Sequence, residues 1–215
     1  MLFRSTVDAD LIRYAGELGY RIRLVALARR ADGRLAMRVA PALVRSGTPL
    51  AETRGAYNAV SIVGDAVGRM FFHGLGAGQM PTASAVVADI IDTVVGRAAI
   101  TFRTTGVLSA DSPTARVAGV DALERHFLRI VVTDRPGVLA RITGILGDHG
   151  ISIASVIQHD PVDPGSPAGG SGVPEVPLVI MTHVARSSAV AAALETIDSS
   201  DVVHGRGACL GVLDE

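Results

Sequence analysis

The stretch Phe72 to Asp89, FHGLGAGQMPTASAVVAD, constrains this chain more than any other. Gly74, Gly76 and Gly78 fall on every second position. At that spacing a partner can approach the backbone closely, because no Cβ stands in the way. Pro81 suits the first turn of a helix, where a missing N–H costs nothing. Ala85, Val86, Ile90, Val94 and Val95 recur at helical spacing and predict a helix from Pro81 to about Gly96. A glycine turn feeding a helix start offers free N–H groups and the positive end of the helix dipole, which suits a phosphate or a carboxylate. A plain tight turn with glycines packed under a helix has the same spacing, and spacing alone does not separate the two.

Upstream of this stretch, capping side chains at Thr6 to Asp10 predict a helix from about Asp8 to Leu18, closed by Gly19. Arg21 to Ala28 reads as a strand, and Arg34 to Val44 as a second one interrupted by Pro41. The Asp32-Gly33 pair joins them as a hairpin. Tyr57 to Val63 and Val67 to Phe72, separated by Gly64-Asp65, read as another antiparallel pair. These predict a sheet of roughly four strands with two helices on it. Ala98 to Val107 reads as a further strand. A doubly wound nucleotide-binding unit needs a strand–glycine–helix element before the first helix. None precedes it here, so the region reads as part of a larger unit.

Leu108 to Val117, rich in Ser, Asp and Pro, reads as a linker. Beyond it, Phe127 to Asp134 reads as a strand and Val138 to Asp148 as a helix with Leu139, Ile142, Ile145 and Leu146 on its apolar face. Ile151 to Gln158 alternates as a strand, and Asp160 to Val173 is a loop of Pro, Gly and Ser. A strand from Val176 to Val184, a helix from Ser187 to Ile197, and short strands at Val202 to His204 and Ala208 to Leu213 complete the region. The order β-α-β-β-α-β predicts a ferredoxin-like unit, and the chain as a whole reads as α+β. Its expected divisions are 1–106, a linker at 107–124, and 125–215.

Composition excludes several function classes. With 48% hydrophobic and 19% charged residues, the chain can bury a core. Its net charge is −1 and its basic residues are not gathered into a stripe, which argues against nucleic acid. No apolar run reaches the ~18 residues of a membrane span. Cys209 is the only cysteine, which fits a reducing compartment and a cytoplasmic location.

Candidate chemistry is sparse. In the turn Asp134 to Leu139, the N–H groups of the helix start could hold a carboxylate and Asp134 an amino group, a pairing that suits a free amino acid. A helix cap, with Asp134 as the capping side chain, fits the same residues. Asp65 and Asp89 could pair as general acid and base, or stand apart in solvent. His73 borders the glycine run. The six histidines lack the i, i+4 spacing of a metal pair, so no metal is assigned. No Ser, His and Asp set has the context of a nucleophile elbow.

Tyr57 to Val60, Gly74 to Gly78 and Pro81 to Asp89 resemble the C-terminal part of the catalytic region of homoserine dehydrogenase. Glu17 to Tyr20, Val39 to Pro41 and Pro49 to Ala51 fit the same stretch. The second region, with Asp134 to Leu139 and Gly150 to Ile153, resembles the ACT module that follows it in many members. The resemblance implies an NAD(P)-dependent reduction of aspartate semialdehyde to homoserine, on the route to threonine and methionine.

The resemblance also implies that the dinucleotide fold and the catalytic Asp and Lys lie ahead of Met1, so no catalytic residue is assigned here. It gives Gly78 as the one cofactor contact, and NAD(P) is expected not to bind stably to this chain alone. Arg23 departs from the family, which usually carries Lys there; Arg keeps the charge but cannot give up its proton. For the ACT module the resemblance implies an amino-acid effector, threonine foremost. The effector would sit at Asp134, Gly137, Val138 and Leu139 with the facing strand at Ile151 and Ile153, where modules pair side by side in a homo-oligomer. Three readings stay open: part of an enzyme that does not turn over alone, a stand-alone regulatory module, and one subunit of a split enzyme.

Overall fold

Asp8 accepts a hydrogen bond from the Leu11 N–H at 2.8 Å and so caps the first helix, α1 (Ala9–Glu17). Gly19, at φ 79°, turns the chain out of it. The structure is a computed structural model and describes residues 7–31, 34–105, 121–159 and 174–213. β1 (Tyr20–Ala31) and β2 (Arg34–Arg45) follow as an antiparallel pair, Tyr20 facing Arg45. Their expected Asp32-Gly33 turn lies outside the described residues, as do the linker at 108–117 and the loop at 160–173. Pro41 does not interrupt β2. Parallel pairing of β2 to its second neighbour starts only at Ala42, so a missing N–H at Pro41 is tolerated.

The short helix α2 (Pro49–Glu52) leads to the hairpin β3 (Tyr57–Gly64) and β4 (Gly68–Leu75), then α3 (Gln79–Val94) and α4 (Arg97–Thr105). After these come β5 (Leu123–Thr133), α5 (Val138–Asp148), β6 (Ile153–Gln158), β7 (Glu175–Thr182), β8 (Ala185–Arg186), α6 (Ser187–Asp198) and β9 (Ala208–Leu213).

Three expectations are corrected. The short strand read at Val202 to His204 is only an isolated antiparallel bridge between Val203 and Val132. The strand read at Ala98 to Val107 is the helix α4. Gly96, at φ 79°, ends α3, and the Ile100 N–H donates to the Gly96 carbonyl at 3.3 Å, so a new helix starts at once. A short apolar run of this kind carries too few turns for its period to be read. The four-stranded sheet also does not form. β3 and β4 make a two-stranded sheet, while β1 and β2 belong to a seven-stranded one ordered β1-β2-β9-β5-β7-β6, with β8 on β5.

The described residues fall into two compact units, one from Met1–Ser46 with Val117–Glu215, the other from Gly47–Arg116. The sequence reading kept 1–106 together; the structure groups the first strands with the ferredoxin-like region because β2 pairs with β9.

In the first unit, β9-β5-β7-β6 is the ferredoxin-like sheet, and period-2 alternation gives it two apolar faces. Leu128, Ile130, Leu178 and Ile180 pack under α5 and α6 with Ile142, Leu146, Val190 and Ile197. Phe127, Val179, Met181, Leu210 and Val212 face the other way and meet Leu11 and Tyr14 of α1 with Tyr20 and Leu43 of the hairpin. The sheet is therefore covered on both sides. Arg38 of β2 forms a bidentate ion pair with Glu124 of β5.

In the second unit almost nothing is buried. α3 has no buried residue, and Val86 (53% exposed) and Val94 (80%) are open. A two-stranded ribbon is marginal alone in water, so this unit carries an apolar face without cover among the described residues.

His126 is buried, and burial lowers its pKa below the ordinary 6.5. The unfolded imidazole takes up its proton near that value while the folded one resists. Stability is therefore full above the unfolded pKa and falls as pH drops through it. Urea unfolding at pH 7.5 and pH 5.5 measures this. We expect a lower midpoint at pH 5.5, and a smaller difference in His126→Leu.

Candidate functional site

The turn after β5 builds a half-open cavity of ≈ 360 Å³, within the range of small-ligand sites. Asp134, Arg135, Pro136, Gly137, Val138 and Leu139 form one wall. Val132 and Thr133 of β5, Gln158 of β6, and Val176 and Leu178 of β7 form the rest. Gly137 sits at φ 90° as the N-cap of α5, and no side chain caps that helix. The Val138 N–H donates to the Arg135 carbonyl at 3.3 Å, and the rest of this helix start, with no capping side chain, is a setting for a carboxylate.

Asp134 is not the cap of α5. Its Oδ1 accepts a hydrogen bond from Gln158 Nε2 at 3.1 Å. Four of the six expected effector residues, Asp134, Gly137, Val138 and Leu139, thus lie together on the cavity. Ile151 and Ile153 do not line it. Ile151 is buried, and Ile153 packs against the same core under α5. Ile153 pairs with Thr182 at one end of β6 and Gln158 with Leu178 at the other, beside the cavity, so the strand's last residue lines the cavity and its first does not. Sequence reasoning missed Gln158. Its signal was position: the final residue of a strand whose partner turn carries Asp134.

Behind the wall, two side-chain contacts fix the strand ends. His204 Nε2 lies 2.8 Å from Thr133 Oγ1, and His204 Nδ1 lies 3.2 Å from Glu175 Oε1. The Asp134 N–H donates to the Pro174 carbonyl at 2.8 Å. The cavity can therefore present N–H donors on one side and a carboxylate with an amide on the other, the complement of an amino-acid zwitterion.

In the second unit, β4 runs through Gly74 to Leu75 before the chain turns into α3. Gly76 is held by its N–H on the Ala56 carbonyl at 3.0 Å, and a Cβ there would come within 1.7 Å of Asn58 Nδ2. Gly78, at φ 132°, is the N-cap of α3, again with no side-chain cap. Pro81 falls in the first turn of α3, as its chemistry requires. His73 stacks on Tyr57 with centroids 4.8 Å apart, along one face of the hairpin. Asp65 and Asp89 are both exposed. No hydrogen bond joins them among the described residues.

One cluster mimics a hydrolase site and is not one. Ser187 Oγ and Glu124 Oε1 both approach Nε2 of His126, at 3.3 and 3.8 Å, and Nδ1 has no partner. A nucleophile's base needs its second nitrogen on the carboxylate. The Ser187 hydroxyl also donates to the Ala122 carbonyl. Among the described residues, no group of His, Cys, Asp and Glu is placed to hold a metal.

The homoserine dehydrogenase family profile matches residues 4–91, and the ACT domain profile matches residues 126–199. The chain is 33% identical over 209 residues to a homoserine dehydrogenase of Pseudomonas aeruginosa, covering 94% of this chain and 45% of that protein. It is 34% identical over 196 residues to one from Mycobacterium bovis, covering 89% and 43%. The crystal structure of a homoserine dehydrogenase from Thiobacillus denitrificans superimposes with TM-score 0.77 at 34% identity, covering 98% of this chain and 46% of that one. The chain thus spans about 45% of the length of the curated relatives it matches.

Gly137→Ala tests the uncapped turn. Nothing lies within 4 Å of a Cβ at this position, so the cost is the left-handed backbone alone, about 1–2 kcal/mol. The urea midpoint should fall accordingly, without a change in slope.

Proposed function

The chain belongs to the homoserine dehydrogenase family and carries an ACT domain, and from this we propose that it supplies part of the substrate and dimer region of such an enzyme together with its amino-acid-sensing module. The enzyme would reduce aspartate semialdehyde to homoserine with NAD(P)H, in the cytoplasm. The observation that carries the reading is the order of the two family matches, 4–91 then 126–199. The cavity at the Asp134 turn supports the sensing role. The functional division is proposed to follow those matches, even though the strands of 20–45 pack with the ACT sheet.

The family uses NAD(P), and the residues here fit one edge of it. Gly78 at the uncapped start of α3 suits a phosphate or another anionic group. The described residues contain no parallel strand–glycine–helix unit for the rest of a dinucleotide, so NAD(P) would be held elsewhere and no reaction step is assigned to this chain. Bound NAD(P)H would supply the hydride; the part played by Gly78 is close backbone approach.

In the ACT module, the N–H groups of Gly137 and Leu139 would take an effector's carboxylate, and Asp134 with Gln158 its ammonium. Threonine is the first candidate. The open edge of β6 and the uncovered apolar face of α3 support a homo-oligomer through the ACT and hairpin regions. The same uncovered face supports a second reading, a subunit completed by another chain that carries the nucleotide-binding fold.

Two measurements test the main reading. These 215 residues purified alone should give no steady NADPH oxidation with aspartate semialdehyde; sustained turnover would refute it. Calorimetry should detect threonine, methionine or lysine at millimolar concentration, and Asp134→Asn should weaken that binding by roughly 1.5–3 kcal/mol, the worth of a hydrogen bond to a charged group. Absence of heat with all three would remove the sensing role.

A further inference from the structure

The end of β6 serves both faces of the sheet at once. Gln158 lines the cavity and donates to Asp134. The next residue, His159, falls on the opposite side, as the period of a strand demands. There its ring stacks on Tyr14 of α1, with centroids 4.5 Å apart and planes 23° from parallel. His159 Nε2 lies 3.1 Å from Glu17 Oε2, in the last turn of α1. Tyr14 is only 2% exposed and belongs to the core between α1 and the sheet. One peptide unit therefore separates a group on the cavity from a group that holds a helix outside the ACT domain.

We propose that Gln158 and His159 couple effector binding to α1, His159 acting as the positioning residue that fixes Tyr14 and the C-terminal end of that helix. The proposal rests on the amino-acid reading of the cavity and deepens it. An ammonium entering beside Asp134 competes for the carboxylate that Gln158 now holds. Gln158 must then shift or turn its amide oxygen to the newcomer, and the adjoining peptide carries His159 with it. The His159 N–H, which donates to the Pro177 carbonyl at 3.3 Å, is the backbone contact at that point. α1 runs directly into β1 through Gly19, and the Ser46 N–H donates to the Gly19 carbonyl at 2.9 Å. A change in α1 is thereby felt by the whole β1–β2 hairpin, which lies in the part of the chain matched to the dehydrogenase rather than to the ACT domain.

The test is amide hydrogen exchange across α1 in the full 215-residue chain, with and without saturating L-threonine, L-methionine or L-lysine, each affinity measured by calorimetry. In the native sequence, exchange at Arg13 to Leu18 should change at least ~5-fold with the ligand that binds, the lower end of ordinary coupling. His159→Leu should keep the ligand's affinity within about twofold and abolish the α1 response. Glu17→Gln, at a half-exposed carboxylate on the helix surface, provides a milder variant whose response should be reduced. An unchanged α1 in the native chain despite binding, or an undiminished response in both variants, overturns the coupling and leaves the cavity's role standing. Failure of all three amino acids to bind overturns the cavity's role and the coupling with it.

Discussion

The double-sided burial of β5 is the constraint on which the first unit depends. Leu128, Ile130 and Val132 point to the helices α5 and α6, while Phe127 points to α1, and all four are buried. With Val179 and Met181 of β7 and Leu210 and Val212 of β9 beside Phe127, the second face of the sheet cannot sit at a solvated surface. Each buried side chain of this size is worth about 1.5–3 kcal/mol relative to exposure. The second face needs a cover, and α1 with the β1–β2 hairpin supplies it. That is why residues from the start of the chain are found in the same unit as its end.

The cover has a functional side. A ferredoxin-like sheet with helices on one face leaves the other available. Here that face is used to seat a helix and a hairpin that belong, by family match, to the dehydrogenase portion. The hairpin also extends the sheet, since β2 takes the edge of β9 and leaves β6 as the other edge of the ordered strands. The ion pair between Arg38 and Glu124 spans β2 and β5 across β9, and Gly211 on the strand between them is where a Cβ would meet the Glu124 carboxylate at 2.7 Å. The small residue lets the carboxylate lie over the strand.

Much of the local structure was legible because punctuation residues bracket it. α5 begins and ends where Pro136-Gly137 and His149-Gly150 say it should, with Gly137 at φ 90° and Gly150 at φ 70°. The capping of α1 by Asp8 was equally readable. α4 was not, because nine residues starting one position after a helix-ending glycine show no pattern distinct from a strand. The site was half legible. The Asp134 to Leu139 turn could be placed from its residues, but Gln158 reaches the cavity because β6 pairs with β7 in a register that sets it opposite Leu178, at the far end of the strand from Ile153, and that register is not written in the composition.

The sequence by itself determined the four main strands and two helices of the ferredoxin-like region, their order, and the two glycine-led helix starts, because those rest on period, capping and backbone freedom within a few residues of each other. It showed neither β8 nor the reduction of Val202 to His204 to a single bridge. Only the tertiary structure decided that β2 pairs with β9, that α1 lies on the second face of the sheet, and that Gln158 and His159 look in opposite directions from one strand end. The first two depend on segments more than a hundred residues apart, such as Leu43 with Val212, and the third on the register of β6 against β7. An apolar face declares that it needs a partner, but many segments could satisfy it, and the choice is made by the packing of the whole unit.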